Sequence, residues 1–281
     1  MYPLLAALHV LAIYGVPAAT VGMLIRDAEP YGWAAQGVAW IAAPALFAFL
    51  VALCAGLTSR PYRHAVRSGR MVRDTSNSDY RARRLYGLAW TCIYYCPGVY
   101  HACLAVPPVK RMLFRLFGYK GSMNFTAYPD TWLRDLAVLD FGEGCYISNR
   151  ATIGTNIVSR GGRIHVDGIR IGARALVGHF AMIAPGAVIG DDAEIGAGSG
   201  IGLRTRVGER ARIADNVTID HCATIGAGAR IGTRAYIGRR ATVLAGVTVP
   251  PAAVVPADAF VDENYFARTA PAPMLVHALS A

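Results

Sequence analysis

Between residues 171 and 261 an aliphatic side chain returns at every sixth position. The series is Ile171, Val177, Ile183, Ile189, Ile195, Ile201, Val207, Ile213, Ile219, Ile225, Ile231, Ile237, Val243, Val249, Val255 and Val261. The next residue is usually small, most often Gly, as at 172, 178, 190, 196, 202, 208, 226, 232 and 238. Four residues after the aliphatic sits another small residue, such as Ala175, Ala181, Ala187, Ser199, Thr205 or Ala223. A period of six fits neither the 3.6-residue turn of an α-helix nor the two-residue alternation of a strand on a flat layer. It fits a parallel β-helix of hexapeptide repeats, three hexads making one turn of about 18 residues. The aliphatic residue then fills the axis, the small residue lets three walls approach, and the following Gly is expected to ease the corner.

The same phase already holds at Phe141, Ile147 and Ile153, then fails at Ser159 and His165. Residues 159–163, Ser-Arg-Gly-Gly-Arg, read as a loop pushed out of a coil. The expected organisation has four parts. Residues 1–58 form a transmembrane helical hairpin. Residues 59–140 hold a basic loop, re-entrant or interfacial helices and a linker. Residues 141–262 form the coil, ended by Pro250, Pro251 and Pro256. A tail, 263–281, covers the open tip.

The membrane reading rests on composition. Residues 3–25 and 33–57 contain no Asp, Glu, Lys or Arg, and each exceeds the roughly 20 residues that cross a bilayer. Pro17 and Pro44 are tolerable there when neighbouring helices reclaim the freed carbonyls. A signal peptide would need a basic leader, and a second span follows at once. Arginines crowd after the second span, at 60, 63, 67, 70, 73, 81, 83 and 84. The positive-inside rule puts them in the cytosol, so the chain is expected in the inner membrane with the coil on the cytosolic side. They account for much of the +10 formal charge and suit anionic lipid. No aromatic-interleaved groove accompanies them, so nucleic acid is not an expected partner. Residues 85–106 are apolar but rich in Tyr, Trp and Cys. With cations on both sides they read as a re-entrant or interfacial hairpin rather than a span. Residues 109–118 alternate bulky and basic side chains at helical spacing, as in an interfacial helix or one that caps the coil. Six Cys without a C-x-x-C pair suggest neither a disulfide framework nor a metal site.

The [IV]-G-x-x-A-x pattern resembles the hexapeptide-repeat acyltransferases. The resemblance implies a left-handed coil, a homotrimer, and acetyl-CoA or acyl-CoA bound in grooves between neighbouring prisms. The runs VPPVKRMLFRLFGYKG and CYISNRATIGTN are also similar to the membrane-associated repeat domains of poly-amino-acid synthetases. That second likeness implies amide-bond formation from a carrier-bound thioester, with an acyl carrier protein as partner. This chain has Asn156 where that family tends to have His.

Acyl transfer needs a base for the nucleophile's proton and donors for the oxyanion, and His is the default base near neutrality. His9, His64, His101 and His277 lie outside the coil, and His165 falls in the excursion. His179 and His221 each stand two residues after a core aliphatic and point outward at corners. Residues 217–226 resemble the x-I-x-H-x-x-x-I-G run around the catalytic His of sugar acetyltransferases, which implies His221 as base. Asp220 stands where Gly is usual and is expected to orient the imidazole. Cys222 stands where that branch often has an acid. His179 remains the alternative base. The two lie seven hexads apart, on different walls, and are not expected to form one dyad. Arg230, Arg234, Arg239 and Arg240 are expected near the phosphates of CoA. Backbone N–H groups at Gly238 and at Ala245-Gly246 are expected to serve the pantetheine and the oxyanion. A trimeric scaffold without chemistry, and a γ-class carbonic anhydrase built on the same coil with three His on zinc, are the competing readings.

Overall fold

The computed structural model describes residues 2–269. His277 and most of the tail expected to cover the tip lie outside the described residues.

Helices α1 (Tyr2–Ala28) and α2 (Trp33–Ser59) form a hairpin closed by a 3-10 turn and by Gly32, whose φ of 89° favours glycine. At 1.5 Å per residue each helix is about 40 Å long, more than a bilayer's hydrocarbon thickness. Both are long and apolar enough to cross a membrane. Leu4, Leu11, Trp33 and Ile41 point away from the protein.

Three helices follow: α3 (Ser78–Tyr94), capped by the Asn77 side chain on the Tyr80 amide, α4 (Pro97–Ala105) and α5 (Pro107–Leu116). The stretch 85–106 breaks at Tyr95 and Cys96, before Pro97. Three of its large aromatics face the protein interior. Tyr86, Trp90 and Tyr100 are buried, and Trp90 Nε1 donates to the Leu133 carbonyl at 2.7 Å. On α5, Leu113 and Phe114 are buried in the same core, so its apolar face caps the coil. The physical reason is the end of a solenoid. A terminal coil leaves an apolar axis and a row of unpaired strand groups that must be covered. Arg83 on α3 pairs with buried Asp135, which also accepts from Thr155 Oγ1 at 2.7 Å and ties the helices to the first turn.

The coil is a parallel β-solenoid of three seven-stranded sheets. The first wall starts at Thr126–Ala127, the second at Trp132–Leu133 and the third at Leu139–Phe141. The first two walls of the opening turn therefore precede residue 141. Each later strand contributes one outward residue and one inward aliphatic, the latter buried at the axis. Full burial of an Ile or Val is worth about 1.5–3 kcal/mol, repeated at every corner-to-corner step.

The excursion explains why the phase survives it. After Ile153 the third wall would resume at 159, but it resumes at Ile171, and 171 − 159 = 12 residues, two hexads. The extra residues form an outward hairpin of Asn156–Val158 and Arg163–Val166. Strand β1 (Gly69–Val72), from the arginine-rich segment after α2, adds antiparallel to its edge, with Arg70 opposite His165. This three-stranded flap stands beside the solenoid.

The corner works differently from expectation. The residue forced into left-handed backbone is not the Gly after the aliphatic but the residue two further on. Arg174, Phe180, Asp192, Arg204, Cys222 and Arg240 all have φ between 52° and 62°. The Gly is needed for close stacking instead. A Cβ on Gly226 would lie 2.3 Å from the Ala245 amide of the next coil.

Candidate active site

Most corners leave one backbone donor over. The amides just after the aliphatic and at the left-handed position enter coil-to-coil bonds, as in Gly202 N–H to Ile219 O (2.8 Å) and Cys222 N–H to Leu203 O (2.7 Å). The amide between them has no backbone acceptor. At other corners a carboxylate one coil on takes it: Asp191 Oδ1 accepts from Ala173 N–H at 2.8 Å, and Asp215 Oδ1 from Ala197 N–H at 2.7 Å. Between the second and third walls that place belongs to His221. Leu203 N–H donates to its Nδ1 at 3.1 Å.

This bond fixes the ring's chemistry. A nitrogen that accepts a hydrogen bond carries no proton, so the neutral ring holds its proton on Nε2. Asp220 bonds the backbone beside the imidazole. Its Oδ1 accepts from the backbone N–H of His221 at 2.6 Å and lies 3.4 Å from Nδ1, while Tyr236 Oη donates to its Oδ2 at 3.4 Å. The His221 side chain is 43% exposed.

His221 does not stand on an open wall. It lines a cleft of about 690 Å³ between its corner and the flap. Ile157, Val166, Pro185 and Leu203 make the apolar surface. Arg70, His165, Asp167, Arg204, Cys222, Arg239 and Arg240 bring polar and charged groups. Two of the arginines are engaged. Arg204 Nε donates to Asp167 at 3.1 Å, and Arg240 grips Asp258 with two bonds of 2.6 and 2.8 Å. The Arg240 pair holds the Asp258 carboxyl below the usual carboxylate range.

The other expected residues divide cleanly. Asp220, Gly238, Arg239 and Arg240 share the corner of His221, with Arg240 N–H on the His221 carbonyl at 3.0 Å. His179 and Arg234 sit at the corner between the first and second walls, Arg230 on the first wall, and Gly246 at the corner between the third and first. Within one chain these do not meet His221, and His179 and His221 form no dyad. The Gly238 and Gly246 amides are already spent, on Val255 O (2.8 Å) and Ala227 O (2.9 Å). The unspent amide at the His221 corner is that of Arg239, one coil on. Asn156 is a structural residue here, its Nδ2 donating to Asp135 Oδ2 at 3.4 Å.

Residues 168–203 match the family model described as bacterial transferase hexapeptide (six repeats). The solenoid is thus built of hexapeptide repeats. No curated protein matches it. Similar solved structures include the acetyltransferase domain of PglB from Neisseria gonorrhoeae FA1090 in complex with acetyl coenzyme A. Identity there is 18%, with 54% of this chain and 62% of that chain covered, at a TM-score of 0.27. PerB from Caulobacter crescentus, in complex with CoA and GDP-perosamine, is 20% identical over 48% of this chain and 52% of its own, at a TM-score of 0.17. LpxA from Acinetobacter baumannii is 16% identical over 48% and 66%, at 0.21. This chain thus spans less than two thirds of each. At these scores the functional reading rests on the site of this chain itself.

Proposed function

We propose that this protein is a membrane-anchored acyltransferase. It moves an acyl group, acetyl or longer, from acyl-CoA to a hydroxyl or amine presented at the cytosolic face of the membrane. The observation that carries this reading is the cleft itself: the His221 imidazole, the unspent Arg239 amide one coil on, apolar walls and an arginine rim in one place. The apolar surface of Leu203, Pro185 and Ile157 suits a pantetheine arm, and the arginines suit phosphates.

Acyl-CoA supplies the activated thioester. The chain's residues do the rest. His221 takes the acceptor's proton at Nε2 as the nucleophile attacks the thioester carbonyl. The Arg239 N–H holds the oxygen that becomes negative, and the leaving thiolate is protonated from the imidazolium. Base work at Nε2 requires the opposite tautomer from the resting one. The ring proton must move from Nε2 to Nδ1, which gives up the Leu203 amide and donates to Asp220 Oδ1 instead, at a cost of about one hydrogen bond, or 0.5–1.5 kcal/mol. Asp220 therefore acts during the proton transfer rather than at rest.

A homotrimer fits the outward surface. The second wall presents Thr152, Met182, Gly200, Thr218, Tyr236 and Val254, without a charge, whereas the first carries Glu194, Arg212 and Arg230. An uncharged face of this length suits contact with a second copy. Titration calorimetry of acetyl-CoA into the full chain in detergent tests the reading. Binding that weakens in Arg239→Ala supports it; no binding to the wild type would leave a scaffold.

A further inference from the structure

The arginine-rich segment after α2 has the composition of a lipid-facing tract, yet most of its cations have partners inside the protein. Arg63 donates to the carbonyls of Arg115 and Leu116. Arg67 pairs with Asp79, Arg81 donates to the carbonyls of Thr75 and Ser76, and Arg83 pairs with Asp135. Arg84 lies over the rings of Tyr2 and Tyr80. Three have side chains without a hydrogen bond or ion pair among the described residues: Arg60, Arg70 and Arg73. Of these, only Arg70 lines the cleft of His221.

Its position follows from strand alternation. Met71 faces the small apolar cluster of Tyr80, Ile164 and Val166. Arg70 therefore points to the other face, beside His165, its cross-strand partner. The Ser68 hydroxyl accepts from Gly168 N–H at 3.2 Å and pins the start of the strand against the solenoid. Around the cleft the carboxylates are committed. Asp167 holds Arg204, Asp258 holds Arg240 and stands within electrostatic reach of Arg239, and Asp220 serves the His221 amide. Among the described residues the Arg70 side chain pairs with none of the carboxylates around the cleft. It sits on a strand that begins ten residues after α2 ends, so the cleft mouth lies within about 35 Å of the chain's exit from the bilayer.

We propose that Arg70 is a specificity-determining residue that binds a phosphoryl anion on the acceptor, and so selects phosphate-bearing amphiphiles at the membrane surface. A guanidinium presents a planar fork that meets two oxygens of a phosphate at once, which a lone ammonium cannot. The flap carries Arg70, so acceptor recognition is assigned to β1 and the excursion, and donor recognition to the solenoid corner. The inference rests on the acyltransferase reading for His221 as the reacting centre, but its binding test does not.

The experiment is titration calorimetry on the full chain in a neutral detergent, with inorganic pyrophosphate as the probe. Wild type, Arg70→Gln, Arg70→Lys and Arg73→Ala are compared, and each is also titrated with CoA and with 3′-dephospho-CoA. Arg70→Gln is expected to weaken pyrophosphate about tenfold or more, the scale of one charged hydrogen-bonded contact, and to leave CoA within about twofold. Arg70→Lys should recover part of the loss, and Arg73→Ala, one residue past the strand and outside the cleft, should match wild type. Pyrophosphate binding that is absent in wild type or unchanged in Arg70→Gln overturns the proposal. So does an Arg70→Gln loss seen with CoA, whether or not it persists with 3′-dephospho-CoA, because Arg70 would then hold the donor's phosphates. Failure of wild type to bind CoA, with pyrophosphate binding still dependent on Arg70, would count against the acyltransferase reading alone.

Discussion

Two glycines on the second wall, two residues apart, give the strictest test of how the coil positions His221. A Cβ on Gly202 would lie 2.7 Å from the carbonyl carbon of Asp220 and 2.8 Å from both the backbone nitrogen and Nδ1 of His221. Two of those atoms are backbone, which cannot swing away. A Cβ on Gly200 would meet nothing within 4 Å. Gly202→Ala must therefore push one coil from the next, an overpacking cost of about 1–3 kcal/mol, and it strains the very turn that carries the imidazole. Gly200→Ala only restricts the unfolded chain and should be neutral or stabilising by about 0.4–1 kcal/mol. For a domain of this size 1 kcal/mol moves the melting temperature by about 2–4 °C. Thermal unfolding followed by circular dichroism in detergent should place Gly202→Ala about 2–12 °C below wild type and Gly200→Ala level with it or above. Acyl transfer should fall only in Gly202→Ala. Equal melting temperatures for the two variants would refute the stacking argument.

Removing the buried carboxylate in Asp135→Ala strands Arg83 and should cost about 3–5 kcal/mol in chemical unfolding, whereas Asp192→Ala, at an exposed pair, should lose far less. Thiol alkylation at pH 8, read by mass spectrometry, should modify exposed Cys222 and spare Cys145. Burial pushes the Cys145 thiol from 9.0 up to about 12, so its contribution to stability is complete below pH 9 and is lost as pH rises toward 12. Added CoA should slow Cys222 alkylation, since that thiol lines the cleft; unchanged labelling would move the donor elsewhere.

The solenoid was legible because burial and period are local properties of the chain. The phase even ran unbroken across the excursion, since the insertion is a whole number of hexads. The first turn was hidden by two extra residues. Ala127 and Leu133 are six apart, but after the 3-10 turn Leu136–Val138 the residue in register with Ile171 is Phe141, eight after Leu133. The left-handed corner position carried no signal, because Arg, Phe, Asp and Cys all occupy it. His221 and its two neighbouring arginines were recognisable from their place after Ile219 and Ile237. Arg70 was not, because its partner strand lies nearly a hundred residues away and a run of arginines beside a span reads as lipid contact. The Asp220 contact with the His221 amide was equally invisible, since residue type does not say which donor a carboxylate takes.

Transfer from radiolabelled acetyl-CoA into membrane lipid extract, with wild type, His221→Ala and His179→Ala compared as intact oligomers, tests the central claim most directly. The account predicts labelled product from wild type and His179→Ala and a loss of about 10²-fold or more in His221→Ala. Equal labelling by His221→Ala and wild type would contradict it.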